Sequence, residues 1–512
     1  MRKSSAALSR RTSLLTAALA AALPALPAMA DIVTDANSVT VLATKGYNGS
    51  TGTGVTLNSN LASRLEAIEA RAVFDAVNSI DHFSPKSYYY TASNTGSAQA
   101  AAAQAAHDVL LSQLPDPAVN GVDARWAQTR TWVDNVLASY LTSIGVAASN
   151  PGIQAGKNAA AAAIAARAFD NVNPSTTYGA ALTPTSNPGI GLWRQSNAGP
   201  GTVNPSTGAP TGFDATGITG KPAIDLNWRD VTPFSLSNRQ KINLVAKVPA
   251  SPEVGSAEYK LELDYVKKIG QDSSATRSAD QTNQALYYKQ DAEIFVNEVA
   301  RIASAKRGLT LDQNAQLFAL LANAVADARI AAFDSKYEQK FWRPITALNA
   351  DADGTVTNGY AAWHPLAATP SHPSNTSGHS ATVAAGVEVL RAVFGDTISP
   401  DDKAVTLGSL AWLNGTNSGT GNVTTRPVST FSQLQLENGA SRIYLGVHYG
   451  FDNLQGQLLG LDVADAIIRQ STDPAAAGVY NRPSPVDSKQ LKATLLNAPD
   501  LYGYFGQPTT AP

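Results

Sequence analysis

Cysteine does not occur anywhere in the 512 residues, so disulfides, thiol nucleophiles and thiolate metal sites are excluded. An excess of positive charge is lacking too. Lys and Arg number 38 against 40 Asp and Glu, which leaves no basic surface for a nucleic acid. Past the first thirty residues, no stretch reads as the run of about 18 apolar residues that a membrane span requires, so the mature chain is expected to have none. Apolar–polar alternation, the mark of half-buried strands, is almost absent as well. Histidine is scarce, with six in the chain. What remains is a chain long enough for a large core, read as helical, whose chemistry must come from a few histidines, cations, hydroxyls and carboxylates.

The first thirty residues read as an export signal. Arg2, Lys3, Arg10 and Arg11 precede an apolar run from Leu14 to Leu26, and Ala28-Met29-Ala30 offers a small-residue cleavage site. Ser9-Arg10-Arg11-Thr12-Ser13-Leu14-Leu15 also resembles a twin-arginine signal, the route of proteins that fold before export. Losing this leader removes four cations and no acids, which takes the formal charge from −2 to −6. The expected location is periplasmic or secreted.

Residues 31–60, rich in Thr, Ser, Asn and Gly without a period, read as an extended lead-in. From Leu61 the pattern turns helical: Leu65, Ile68, Ala72, Val73, Ala76, Val77 and Ile80 mark one buried face. The alanine-rich stretches at 97–113 and 157–169 are helical by propensity, since alanine loses no side-chain entropy there. Residues 61–170 thus form an N-terminal helical half. Residues 171–255, dense at first in Pro, Gly, Ser, Thr and Asn, read as a long loop or crossover. Helices resume at about 256–270 and 279–306. Another starts at the cap Thr310 and carries its face through Phe318, Leu321 and Val325 towards Phe333. Further helices are expected at 379–395, 401–413, 430–440 and 452–470, which places a C-terminal helical half at 256–500 and a tail at 501–512. The expected fold is all-α, a bundle in two halves.

Four of the six histidines, His364, His372, His379 and His448, cluster in the C-terminal half. Three groups of residues keep them company. Lys336 and Arg343 are seven apart, close to one helix face, with Pro344 following as a breaker; alone they would read equally as a solvated basic face. Thr376-Ser377-Gly378-His379-Ser380 stands before an apolar helix, where backbone N–H groups, a glycine and a hydroxyl make an anion site, or Ser377 is merely an N-cap. Ser441-Arg442 is followed by His448 and Asp452. The last two are four apart, so the carboxylate can orient one ring nitrogen and free the other, as it also would in a structural pair. Together, three cations, a hydroxyl, a glycine N–H and two histidines make the inventory for a tetrahedral oxyanion.

Lys336 with six residues to Arg343-Pro344, then Ser377-Gly378-His379, then Ser441-Arg442 with five residues to His448 and three more to Asp452, resembles the three-part signature of the vanadium haloperoxidase and phosphatidic-acid phosphatase type 2 superfamily. The flanks Phe341-Trp342-Arg343-Pro344-Ile345-Thr346-Ala347 and Ser441 to His448 resemble its bacterial haloperoxidase branch, and the likeness reaches Arg71 to Ile80, Ala106-His107-Asp108 and Ser256 to Ala285.

The resemblance implies vanadate as cofactor, with phosphate able to fill the same site, and His448 as the axial ligand of the metal. It makes His379 the acid–base group on the opposite side. Lys336, Arg343 and Arg442, with Ser377 and the Gly378 N–H, would hold the remaining oxygens, and Lys336 would polarise the peroxide. Hydrogen peroxide and halide are the implied reactants and hypohalous acid the product, passed to an unidentified organic acceptor; a homodimer is implied by likeness alone. His372 falls where the family carries Phe in chloroperoxidases and His in algal bromoperoxidases, which implies bromide and iodide over chloride. Two residues depart from the pattern: Thr376 stands where Pro is common, and Phe333 where Trp is.

Two other functions fit the same inventory. An acid phosphatase would use His448 as nucleophile on phosphorus and His379 as acid. A non-catalytic oxyanion-binding protein would need the cations but not the paired histidines.

Overall fold

In the computed structural model the described residues are 31–172, 189–194, 200–203, 210–213, 223–356, 362–410, 425–469 and 473–476. The expected export signal, most of the loop's Pro/Gly-rich portion and the tail lie outside them. The N-terminal helices are α1 (Ile32–Thr44), α2 (Ser59–Asp81), α3 (Ala98–Gln113), α4 (Trp126–Ser143) and α5 (Pro151–Ala166). Then come a strand pair, β1 (Pro200–Val203) and β2 (Pro210–Phe213), and a 3-10 turn at Leu226–Asp230. The C-terminal part holds α6 (Asn238–Val245), α7 (Ala257–Ile269), α8 (Ala279–Tyr287), α9 (Ala292–Arg307), α10 (Leu311–Gln339), α11 (Pro344–Asn349) and α12 (Gly378–Phe394). It continues with β3 (Val405–Gly408), β4 (Thr425–Val428), α13 (Phe431–Tyr444) and α14 (Gly450–Ile468). The fold is all-α, as expected.

Residues 31–60 are not an extended lead-in, because α1 occupies much of them. Asp31 caps α1 by accepting from the N–H groups of Val33 and Thr34, and nearly every residue of the helix is buried. Burial on all sides hides the period that an amphipathic helix would show, and tertiary packing overrides the weak propensity of its Val and Thr. The expected helix at 401–413 is likewise corrected: Val405 and Leu407 alternate inward along β3, which pairs antiparallel with β4. The helix expected at 279–306 is two, broken at Tyr288–Asp291, and α6 lies inside the stretch expected to be loop.

The centre of the molecule is α10. A capping box between Thr310 and Gln313 starts it, and it runs 29 residues until Lys340 turns left-handed at φ 51°. By length and composition it would pass for a membrane span, against the sequence expectation, yet its most apolar window is wholly buried inside the protein. One apolar cluster takes in α1, α2, α3 and α5 together with α9, α10, α12 and α14, so the two halves share a core. Alanine and glycine let these helices approach closely. A Cβ on Gly460 of α14 would stand 2.2 Å from the Ala381 carbonyl of α12, and one on Gly456 would stand 2.6 Å from the Ser377 carbonyl.

Candidate active site

The pocket forms where four helix ends converge on α10. Lys336 lies one turn before the end of α10, and Arg343 is the residue that precedes Pro344 at the start of α11. The two therefore do not share one helix face, as their spacing suggested; the left-handed Lys340 ends one helix and the proline starts another. Both are nonetheless fully buried and turned towards the same loop. Lys336 Nζ donates to the carbonyls of Pro373 and Ser374, each at 3.0 Å. Arg343 donates from Nε to the His372 carbonyl at 3.0 Å, and from Nη1 to the Val447 carbonyl at 2.6 Å. Its Nη1 also meets His448 Nε2 at 3.0 Å, and its Nη2 meets His372 Nδ1 at 2.9 Å.

Ser377 caps α12, its hydroxyl accepting from the Ser380 N–H, and Gly378 is the first helical residue. A Cβ on Gly378 would find only Lys336 Cε at 3.7 Å and Phe333 Cε2 at 3.8 Å, so this N–H end faces the lysine across open room. A helix start with unsatisfied N–H groups beside a buried ammonium is a place for an anion. Ser377 N donates in turn to the Asp452 carbonyl at 3.0 Å, which ties α12 to α14.

His448 ends the turn before α14, and Asp452 sits in its first turn. His448 Nδ1 donates to Asp452 Oδ2 at 2.9 Å, and the same oxygen accepts from the Tyr449 N–H at 3.1 Å and from the Ser374 hydroxyl. The ring is thus fixed with Nε2 turned to Arg343. Burial, then Arg343, Lys336 and Arg442, hold the imidazole well below its ordinary value, so it is neutral and keeps a lone pair on Nε2. Burial raises the Asp452 carboxyl to about 6 against the opposing pull of its donors.

Arg442, near the end of α13, is buried and donates weakly to the Tyr288 carbonyl at 3.5 Å, while its Nε has no partner among the described residues. Burial and Arg343 push it down to about 9; burial and the two arginines likewise depress Lys336. Three buried cations thus meet two carboxylates, Asp452 and, acting on Arg442 without an ion pair, Asp291, and a buried charge without a counter-ion is costly. The unpartnered Arg442 Nε and the open N–H end of α12 fit a bound oxyanion of phosphate or vanadate size.

His379, in the first turn of α12, is half-buried, with Nε2 donating to the Gln290 carbonyl at 3.3 Å. Burial, Arg442 and Arg329 keep it well below its ordinary value. His372 is half-buried and lies against Phe333, with ring centroids 5.2 Å apart. His364, the other clustered histidine, is not part of the site; it faces Asp272 at 3.6 Å.

The structure therefore brings together Lys336, Arg343, His372, Ser377, Gly378, His379, Arg442, His448 and Asp452. Sequence reasoning missed Ser374, which braces Asp452, and the Tyr288–Asp291 break, whose carbonyls meet Arg442 and His379. It also missed Lys289 beside Arg442, whose ammonium burial and that arginine lower to about 8. Ser374, two residues after His372, was within reach of the motif. The 288–291 break carried no local signal, since Ala279 to Arg307 reads as one helix.

Residues 316–476 match the family model of the VCPO second helical-bundle domain. The vanadium chloroperoxidase of Curvularia inaequalis is 29% identical over a match that covers 35% of this chain and 37% of the fungal enzyme. Two solved structures share the fold at TM-score 0.61: a bacterial vanadium-dependent iodoperoxidase, 19% identical, and a holo-type bacterial vanadium-dependent chloroperoxidase, 15% identical. Each comparison covers 86% of this chain and 97% of the other. These likenesses show that the chain has the helical fold of those solved structures. Within it, the 316–476 segment is similar to the VCPO second helical-bundle domain.

Proposed function

We propose that this chain is a vanadate-dependent haloperoxidase that uses hydrogen peroxide to oxidise halide, bromide and iodide before chloride, to hypohalous acid. One observation carries the reading: His448, neutral and fixed by Asp452, presents Nε2 into a buried set of three cations that outnumber the carboxylates acting on them, Asp452 and Asp291. Vanadate, when bound, supplies a Lewis acid that activates peroxide towards halide without changing its own oxidation state. Lys336, Arg343, Arg442, Ser377 and the Gly378 N–H would hold its oxygens, and His448 the metal.

The chain's own residues supply the remaining tasks. Asp452 holds the proton on His448 Nδ1 and so keeps Nε2 free. Arg343 touches His448 and His372 at once and sets their separation. His379, neutral and less enclosed than His448, is placed to take and return a proton at the open end of the pocket. The halide order rests on His372, the residue at the position where the resembling family varies between Phe and His, which here packs on Phe333.

The test is to load the purified chain with orthovanadate and measure peroxide-dependent bromination beside phosphate-ester hydrolysis. Bromination that needs both vanadate and peroxide is expected. Hydrolysis through a phosphorylated His448, with no bromination, would make the protein an acid phosphatase, and tight anion binding with neither reaction would make it a binding protein.

A further inference from the structure

The Tyr288–Asp291 break ties the pocket to the N-terminal helices. Its first carbonyl receives Arg442 Nη1, the Gln290 carbonyl receives His379 Nε2, and its last residue, Asp291, turns the other way. Asp291 accepts from Lys45 Nζ at 2.6 Å and from the Ser59 hydroxyl. Lys45 caps α1 and Ser59 opens α2, so both ties reach across from the N-terminal half. Lys45 also donates to Glu293 at 3.1 Å, and Glu293 in turn accepts from Arg329 Nη2 at 2.9 Å, so the lysine is held on two sides. Only 7% of its side chain is exposed.

Asp291 lies close enough to act electrostatically on both Arg442 and His379, yet no ion pair joins it to Arg442. We infer that Lys45 is a positioning residue for this pocket: by holding Asp291 it keeps that carboxylate from pairing with Arg442 and leaves the guanidinium free for an oxyanion. The physical reason is competition. A carboxylate beside two cations pairs with the one whose geometry is better satisfied, and Lys45 with Ser59 satisfies both oxygens of Asp291. Without Lys45, the cations left acting on Asp291 are Arg329, whose two Nη groups already donate to Glu293 and Asn60, and Arg442, whose Nε has no partner among the described residues; an Asp291–Arg442 pair would use up one of the three charges that bind the anion. Lys45 itself touches no reacting atom.

The inference rests on the oxyanion reading of the pocket, and it is tested by phosphate affinity rather than by bromination so that the two are separable. Phosphate is titrated into the full chain and followed by phosphorus NMR, with urea unfolding as the check on folding. Lys45→Met is expected to weaken phosphate binding by about tenfold, the loss of one opposing charge, and Lys45→Arg to stay within about threefold of wild type. Adding Asp291→Asn to Lys45→Met should restore most of the affinity, since the carboxylate that captures Arg442 is gone. A scaffold defect would not be repaired that way. If Lys45→Met does not fold, Ser59→Ala is read in its place, with a smaller loss that Asp291→Asn again restores. Unchanged affinity in a folded Lys45→Met or, failing that, in Ser59→Ala, or a loss that Asp291→Asn does not repair, overturns the inference. The expected affinity pattern without any bromination would leave Lys45 in its role and remove the peroxidase. A wild type that binds neither phosphate nor orthovanadate would remove both.

Discussion

Arg343 Nη1 stands 3.0 Å from His448 Nε2, on the nitrogen that Asp452 leaves free. A neutral imidazole is thus held between a carboxylate that fixes its proton and a cation that touches its lone pair. Such a ring is a poor general base in this state and a good ligand or nucleophile once an anion draws Arg343 towards itself. His448 and His379 are therefore expected to fail differently when removed.

His448→Ala is expected to abolish vanadate-dependent bromination and to weaken orthovanadate binding by about a hundredfold, the loss that follows if His448 is the proposed ligand. His379→Ala should bind orthovanadate nearly as wild type but turn over about 100- to 10,000-fold more slowly, the range for a lost acid–base group. Vanadium NMR titrations beside steady-state rates separate the two. Equal vanadate affinity in wild type and His448→Ala would defeat the ligand assignment.

His372 touches Arg343 and packs on Phe333, so it can act on the halide side without contributing to anion charge. Wild type is expected to oxidise iodide and bromide with little chloride oxidation, and His372→Phe to raise chloride relative to bromide. Rates with each halide for both proteins decide it. Efficient chloride oxidation by wild type, or the same halide order in the variant, means that His372 does not select.

Away from the pocket, His107 on α3 bonds to Asp108 at 2.7 Å through Nδ1 and to Asp134 of α4 at 2.9 Å through Nε2. Burial alone would lower its pKa, but the two carboxylates outweigh that and raise it above 6.5. A group whose folded value is raised contributes stability that is fully present below the unfolded value and is lost as pH rises through the folded one. The gap in urea midpoint between wild type and His107→Gln should therefore be widest below the ordinary histidine value of about 6.5 and shrink as pH rises above it. A gap that grows with pH would show that the imidazole is not charged between its two partners.

Gly460→Ala sets two effects against each other. Alanine would gain about 1 kcal/mol in helix propensity, but its Cβ would meet the Ala381 carbonyl at 2.2 Å and Ala384 Cβ at 2.9 Å. Overpacking of that kind costs about 1–3 kcal/mol or more, so a net loss near 2 kcal/mol is expected in urea unfolding, with weaker phosphate binding as α12 shifts from α14. A neutral or stabilised variant would mean that the two helices have room to spare.

The sequence carried the pocket further than it carried the scaffold. Ser377-Gly378-His379 and the His448–Asp452 interval are local, and the structure places them as their spacing implied, with a 2.9 Å bond between the last two. Arg343 was legible as a cation but not in its direction, because the backbone turn at Lys340 depends on packing that its neighbours do not reveal. α1 was invisible for a different reason: buried on every side, it has no polar face to set a period. Lys45 and Asp291, 246 positions apart, meet only once both halves have docked, and no local pattern records such a meeting.

Of the site side chains, His372 and His379 are half-buried, whereas Lys336, Arg343, Ser377, Arg442, His448 and Asp452 are buried. The pocket thus has a floor and a mouth. A small reagent specific for imidazole should reach the two histidines at the mouth before the one on the floor, and a tightly held anion should shield all three in the reverse order of depth. Chemical modification with and without phosphate would then read out depth directly, with no turnover required.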